Sequence, residues 1–259
     1  MDHFLRAARE ASARLGSREA AIRAGYRRLG PDFPGMGEHW VHPQLVVRGV
    51  LDAASPPVLS FVEVDGVPVL VGLAYALPRA PGEEPPETPF GRDAWHDHSG
   101  AVDEETLLLS HPSSMHGSGG GYRLSMVHVW TGLENPDGIL AQNNWALPYF
   151  RVGLGAPAAS ASEAARGVSL ARGGRGFYER LIARAASLTP EEEARVVRVL
   201  AEHAERAERE IASRRGATLG AAGEAEMVDA FAALWSDFWT AVSAEVRPET
   251  WSALSTLAR

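Results

Sequence analysis

Val58-Leu59-Ser60-Phe61-Val62-Glu63-Val64-Asp65-Gly66-Val67-Pro68-Val69-Leu70-Val71-Gly72-Leu73-Ala74-Tyr75-Ala76 is the stretch that decides the fold class. Two runs rich in β-branched and aromatic residues flank Asp65-Gly66, and Asp-Gly between such runs is the strongest short hairpin signal. The second run is apolar almost throughout, as a central strand covered on both faces must be. Upstream, Leu45-Val46-Val47 reads as a further short β segment. Downstream, Tyr122 to Trp130 reads as another strand. Its alternation sets Met126, His128 and Trp130 on one face and Val127 and Val129 on the other.

Working outward, residues 2–29 read as two short helices. Phe4, Ala8, Ala11 and Leu15 recur at helical spacing, Ser17 is placed to cap a second helix running through Leu29, and Gly30-Pro31 ends it. Ala156 to Gly176 is rich in Ala, Ser and Gly and reads as a linker or loop. Thr189-Pro190-Glu191-Glu192 has the form of a helix start, with an N-cap, an N1 proline and a capping-box glutamate. It opens a long helix in which His203 is expected to face solvent. A last helix carries Phe231, Leu234, Trp235, Phe238, Trp239 and Val242 as an aromatic stripe suited to a core or a dimer face. These elements predict an α+β protein. A mostly antiparallel β core, sheet or barrel, spans 31–155, with an N-terminal helical segment at 1–30 and a C-terminal helical region at 156–259.

Seven of the nine histidines fall between positions 39 and 128, where an even spread would put roughly three, and such excess points to metal or proton chemistry. The anchor is Trp95-His96-Asp97-His98. In an extended segment a His-x-His pair directs both imidazoles to one face, the shortest route to two ligands from one element. His39 and His128 join it as expected ligands, and His42 as a further candidate. His39 and His42 are an odd spacing apart in Met36-Gly37-Glu38-His39-Trp40-Val41-His42-Pro43, so a regular strand would part them. His111 and His116 lie in a loop, Asp103 to Gly121, without periodicity, and are expected at the surface.

The chain has no cysteine, so any metal must be held by nitrogen, oxygen or a methionine thioether. Three or four neutral imidazoles suit copper, zinc, iron or nickel and fit magnesium or calcium poorly. Met36 and Met126 beside ligand candidates lean the choice toward copper. Glu38 is the expected catalytic acid or base, with Asp97, Asp103 and Glu104 as carboxylates able to fix imidazole tautomers. No Gly-x-Ser-x-Gly elbow, dinucleotide fingerprint or His-Glu-x-x-His helix occurs in the sequence.

A net charge of −8 argues against broad nucleic-acid binding, which needs basic surface. No apolar run is long enough to span a bilayer. The start, Met1-Asp2-His3-Phe4-Leu5-Arg6, lacks the pattern of a secretion signal. The expectation is a cytoplasmic protein that takes a small-molecule substrate and assembles, if at all, through its C-terminal helices.

Met36-Gly37-Glu38-His39-Trp40, Trp95-His96-Asp97-His98, and Met126-Val127-His128-Val129-Trp130 with Asn135-Pro136-Asp137-Gly138 together resemble a set of uncharacterised bacterial proteins. These share a Met-Gly-x-His-Trp box, a Trp-His-x-His box and a His-x-Trp box followed by Asn-Pro-x-Gly. The likeness covers about residues 17–152 and implies that His39, His96, His98 and His128 form one constellation. A weaker likeness is to cupins, whose first motif pairs His-x-His with a carboxylate. Here Glu104 stands one or two residues too far on, and the proline-glycine before the last histidine is missing. The expected function is a metal-dependent enzyme with a polyhistidine transition-metal site, an oxidoreductase acting on a small molecule. The alternative is a non-catalytic metal-binding or metal-sensing protein.

Overall fold

The hairpin forms as its sequence dictates. In the computed structural model, β3 (Val58–Val64) and β4 (Val67–Arg79) pair antiparallel around Asp65-Gly66. Asp65 (φ 49°) and Gly66 (φ 80°) both adopt the left-handed conformation that such a two-residue turn requires. A register shift between Ser60 and Phe61 marks a bulge in β3. The structure describes residues 1–80, 83–84, 88, 90–99, 123–171 and 174–258.

These residues form two compact units, Met1–Asp32 with Met36–Asn144, and Phe33–Gly35 with Trp145–Arg259. The class is α+β, with a curled antiparallel sheet in half-barrel form, flanked in sequence by helices at both ends. The sheet has six strands in the order β1-β2-β3-β4-β6-β5. Besides the hairpin these are β1 (Arg27–Phe33), β2 (Gly37–Val41), β5 (His96–Ser99) and β6 (Arg123–Val129).

Helices α1 (Asp2–Arg14) and α2 (Arg18–Arg23) open the first unit, the second capped by Ser17 through the Ala20 amide. One face of the sheet packs beneath them. Ala8, Ala11 and Leu15 join Trp40, Leu59, Phe61, Leu73, Tyr75, Leu77, Val127 and Val129 in a single apolar core. These are alternate strand residues, so the period of two that made the strands legible also built this core.

Three expectations about elements are corrected. The second helix does not reach Leu29. It stops at Arg23, Gly25 turns the chain with φ 96°, and Arg27 onward becomes β1, because strand β2 offers its backbone a partner. Leu45-Val46-Val47 is not β-structure. It lies in helix α3 (Pro43–Arg48), which has His42 as N-cap, Pro43 at its first turn and Gly49 in the left-handed conformation at its end. The capping residues prevailed over the β propensity of three short apolar side chains.

The third correction lies in the second unit. The Ala/Ser/Gly-rich stretch contains helix α5 (Ser162–Ser169), following the short α4 (Leu147–Arg151). Small residues here serve close packing. A Cβ at Gly167 would collide with the Phe231 carbonyl of α8 (Ala221–Glu245). Helices α6 (Arg175–Ala185), α7 (Pro190–Arg214) and α9 (Pro248–Leu254) complete the unit. The capping box at Thr189 and Glu192 forms in both directions, and the aromatic stripe of α8 is buried. His203, expected to face solvent, is buried instead: Nδ1 lies 2.8 Å from the Val199 carbonyl and Nε2 3.1 Å from Arg206.

Candidate metal centre

The sheet register decides which histidines meet. Directly opposite residues of an antiparallel pair point to the same face. His39 stands opposite Ser60, which stands opposite Gly72. Ala74, two residues on from Gly72, stands opposite His128. His96 stands opposite Met126, and His98 opposite Leu124. Stepping by two along each strand puts His39, His96, His98 and His128 on one face, with Val41, Val58, Met126 and Leu124. This is the face turned away from the core beneath α1 and α2.

The four rings are neighbours. Ring centres lie 5.1 Å apart for His96 and His128, 5.2 Å for His96 and His98, and 5.9 Å for His39 and His128. Two imidazoles bound tetrahedrally to one ion at about 2.0–2.1 Å would have ring centres roughly 5 Å apart. His96 therefore stands at ligand spacing from both His98 and His128, and His39 stands slightly beyond it from His128. Among the described residues, no group of three or more His, Asp or Glu side chains is already positioned to hold a metal ion. Gathering these four around an ion requires rotation of their side chains.

All four histidines are buried. Burial is the main cause of their titration: it holds His39 and His98 down to about 4, His96 to about 3, and His128 well below the ordinary imidazole value. Their mutual repulsion adds to the effect at His39, His96 and His128. At His98 the Asp97 carboxylate partly opposes it. The rings are thus neutral near pH 7, the state a metal ligand must have.

Nε2 of His96, both ring nitrogens of His128 and Oγ of Ser60 are buried with no hydrogen-bond partner among the described residues. Buried polar atoms are rarely left so, because an unmet donor or acceptor costs about 1–3 kcal/mol. His128 is also walled by Trp130, whose ring stacks on it at 5.7 Å and 29°. Trp130 is fixed in turn by an Nε1 hydrogen bond to the Ala141 carbonyl and by close approach to Gly72.

Glu38 does not join the histidines. One residue from His39, it points to the opposite face, where it accepts from Trp40 Nε1 at 3.3 Å and pairs with Arg18 at 2.8 Å and Arg28 at 3.3 Å. The acid–base role expected for it gives way to an ion-pair role. His42 is also elsewhere, capping α3 through the Leu45 amide with its ring against Tyr26. Asp97 takes the face opposite its flanking histidines and accepts from Ser125 Oγ. Asn135 and Asn144 hold the turn after β6, donating to the carbonyls of Asn143 and of Glu134. His111, His116, Asp103 and Glu104 lie outside the described residues.

Beside the histidines a cavity of about 340 Å³ opens on the same face. It is lined by Val41, Val46, Val58, Leu124 and Met126, with His39 and Arg27 as its polar contributors and Leu29, Pro43 and Val47 completing the wall. Ser60 and this cavity were not singled out from sequence, and Trp130 was placed on the face of His128 without a role. The alternation of β3 could have flagged Ser60, a lone hydroxyl among apolar strand residues. Among the described residues no helix is long and apolar enough to cross a membrane. Comparison with known proteins finds no match to the chain among family models, curated proteins or solved structures.

Proposed function

We propose that this protein is a metal-dependent enzyme, an oxidoreductase that acts on a small molecule at a transition-metal site held by His39, His96, His98 and His128. The observation that carries the reading is His128: a neutral imidazole buried between two others, with neither ring nitrogen hydrogen-bonded among the described residues. Coordination would satisfy a nitrogen that burial otherwise leaves unmet. The neighbouring cavity gives a substrate somewhere to sit, which favours catalysis over a sealed storage site.

Copper is the first metal to test, because the thioether of Met126 shares the face and stands opposite His96 in register. Zinc and iron suit the same imidazole set. A bound copper or iron ion would supply one-electron chemistry. The chain's own part is to keep the imidazoles neutral through burial, to hold three of them on the β5–β6 edge, and to wall the site with Trp130. Elemental analysis of protein purified after exposure to copper, zinc or iron tests the reading. About one metal per chain is expected, with loss in His96→Ala and His128→Ala. Equal metal content in wild type and both variants would sink it.

A further inference from the structure

The cavity beside His39 has a lining that selects its occupant. We infer that it binds a medium-length aliphatic monocarboxylate, the apolar chain lying along β2 and the carboxylate meeting Arg27. This deepens the enzyme reading above by naming the substrate class, and rests on it only for the claim that the bound acid is acted upon.

Three observations point to this ligand. The wall is built almost wholly from Val41, Val46, Val58, Leu124, Met126 and Leu29, which offers no hydrogen bonds to a sugar or a nucleobase. Arg27 lies on the wall, is exposed, and has no ion-pair partner among the described residues, so a guanidinium awaits an anion at an apolar groove. A planar guanidinium meets a carboxylate through two parallel hydrogen bonds.

The length follows from the hairpin. β1 and β2 are neighbours joined by three residues, a connection only antiparallel strands can make. Arg27, at the start of β1, therefore lies toward the Val41–Pro43 end of β2, some three or four residues beyond His39. At about 3.3 Å per residue that is roughly 10–13 Å. An extended chain of roughly eight to ten carbons spans this distance from a carboxylate at Arg27 to a terminal carbon at His39. The far end of the chain, not its acid group, would thus be presented to the histidines.

Titration calorimetry of the metal-free protein with decanoate, decanol and butyrate tests the inference. Decanoate should saturate one site, decanol should bind at least about tenfold more weakly, and butyrate should not bind. Arg27→Gln should weaken decanoate about tenfold and leave decanol unchanged. Val46→Trp, at a half-buried wall position that tolerates a larger side chain, should abolish both. Decanoate that fails to bind, or that binds Arg27→Gln or Val46→Trp as tightly as wild type, overturns the inference. So does a wild-type dimer that Val47→Asp converts to monomer, since a second copy would then fill the groove. Because metal is absent from the titration, these results are independent of the elemental analysis. Metal without decanoate binding defeats this inference alone, and decanoate without metal binding defeats only the enzyme reading.

Discussion

His96 and His128 face each other diagonally across the β5–β6 ladder, ring centres 5.1 Å apart and planes inclined by 30°. His98 lies 5.2 Å from His96, and His39 lies 5.9 Å from His128. The pair thus stands at the middle of the cluster, and an ion shared by all four rings would tie β5 and β6 to β2.

Metal should therefore stabilise the fold measurably. An ion present at about a hundredfold excess over its dissociation constant adds roughly 2.7 kcal/mol. For a chain of this length that raises Tm by roughly 5–10 °C. Scanning calorimetry should show this rise in wild type and lose most of it in His96→Ala and in His98→Ala. An equal rise in all three would mean that the metal binds elsewhere.

The metal-free protein should be sensitive to acid in a defined window. Burial holds the folded-state values of His39 and His98 at about 4 and of His96 at about 3, against about 6.5 in the unfolded chain. Above pH 6.5 the rings are neutral in both states and stability is complete. As pH falls through 6.5 the unfolded chain takes up protons that the folded chain refuses, and stability is lost until the folded rings titrate near pH 4 to 3. A depression from 6.5 to about 4 is worth about 3 kcal/mol, a large share of the stability of an ordinary domain. Urea midpoints measured between pH 7 and 4 should fall steeply, and less so for His96→Gln/His98→Gln. A flat profile would show that the rings are hydrated and not buried.

Gly72 should behave as part of the site although it carries no side chain. A Cβ there would stand 2.9 Å from Cε3 of Trp130, the ring that stacks on His128. Gly72→Ala must push the indole aside, at a cost of about 1–3 kcal/mol. The expected readouts are a shifted tryptophan emission and weakened metal binding. Unchanged metal affinity with the emission shifted would mean that the Trp130 wall plays no part in holding His128.

Much of this was written plainly in the sequence. Asp65-Gly66 fixed the hairpin, and the odd-even alternation of Tyr122–Trp130 put His128 on the right face without any coordinates. His96 and His98 followed from a two-residue spacing. What could not be read was which face Glu38 took relative to those histidines. Parity separates Glu38 from His39, but which of the two shares a face with His128 depends on pairing through β3 and β4, and on the bulge between Ser60 and Phe61. His42 escaped for a different reason. Its neighbours Pro43 and Gly49 are helix punctuation, and β-branched residues between them concealed it. The linker reading of Ala156–Gly176 failed because small residues serve close helix packing as readily as loops, and only the carbonyl of Phe231 distinguishes the two at Gly167.

Glu38 offers the sharpest separation between stability and site chemistry. Its carboxylate is buried and meets Arg18, Arg28 and the Trp40 indole on the helix side of the sheet, the face opposite the histidines. Glu38→Gln keeps the shape and removes the charge, leaving Arg18 without its nearer partner. Arg18 is mostly buried while Arg28 is about half exposed, so water compensates the second cation far better than the first. The loss should be about 1–3 kcal/mol, with metal stoichiometry and affinity unchanged. A residue that moved protons at the metal would give the reverse pattern, with stability nearly intact and turnover abolished. Urea denaturation and metal titration on the same variant distinguish the two, and a loss of metal binding at unchanged stability would return Glu38 to the site.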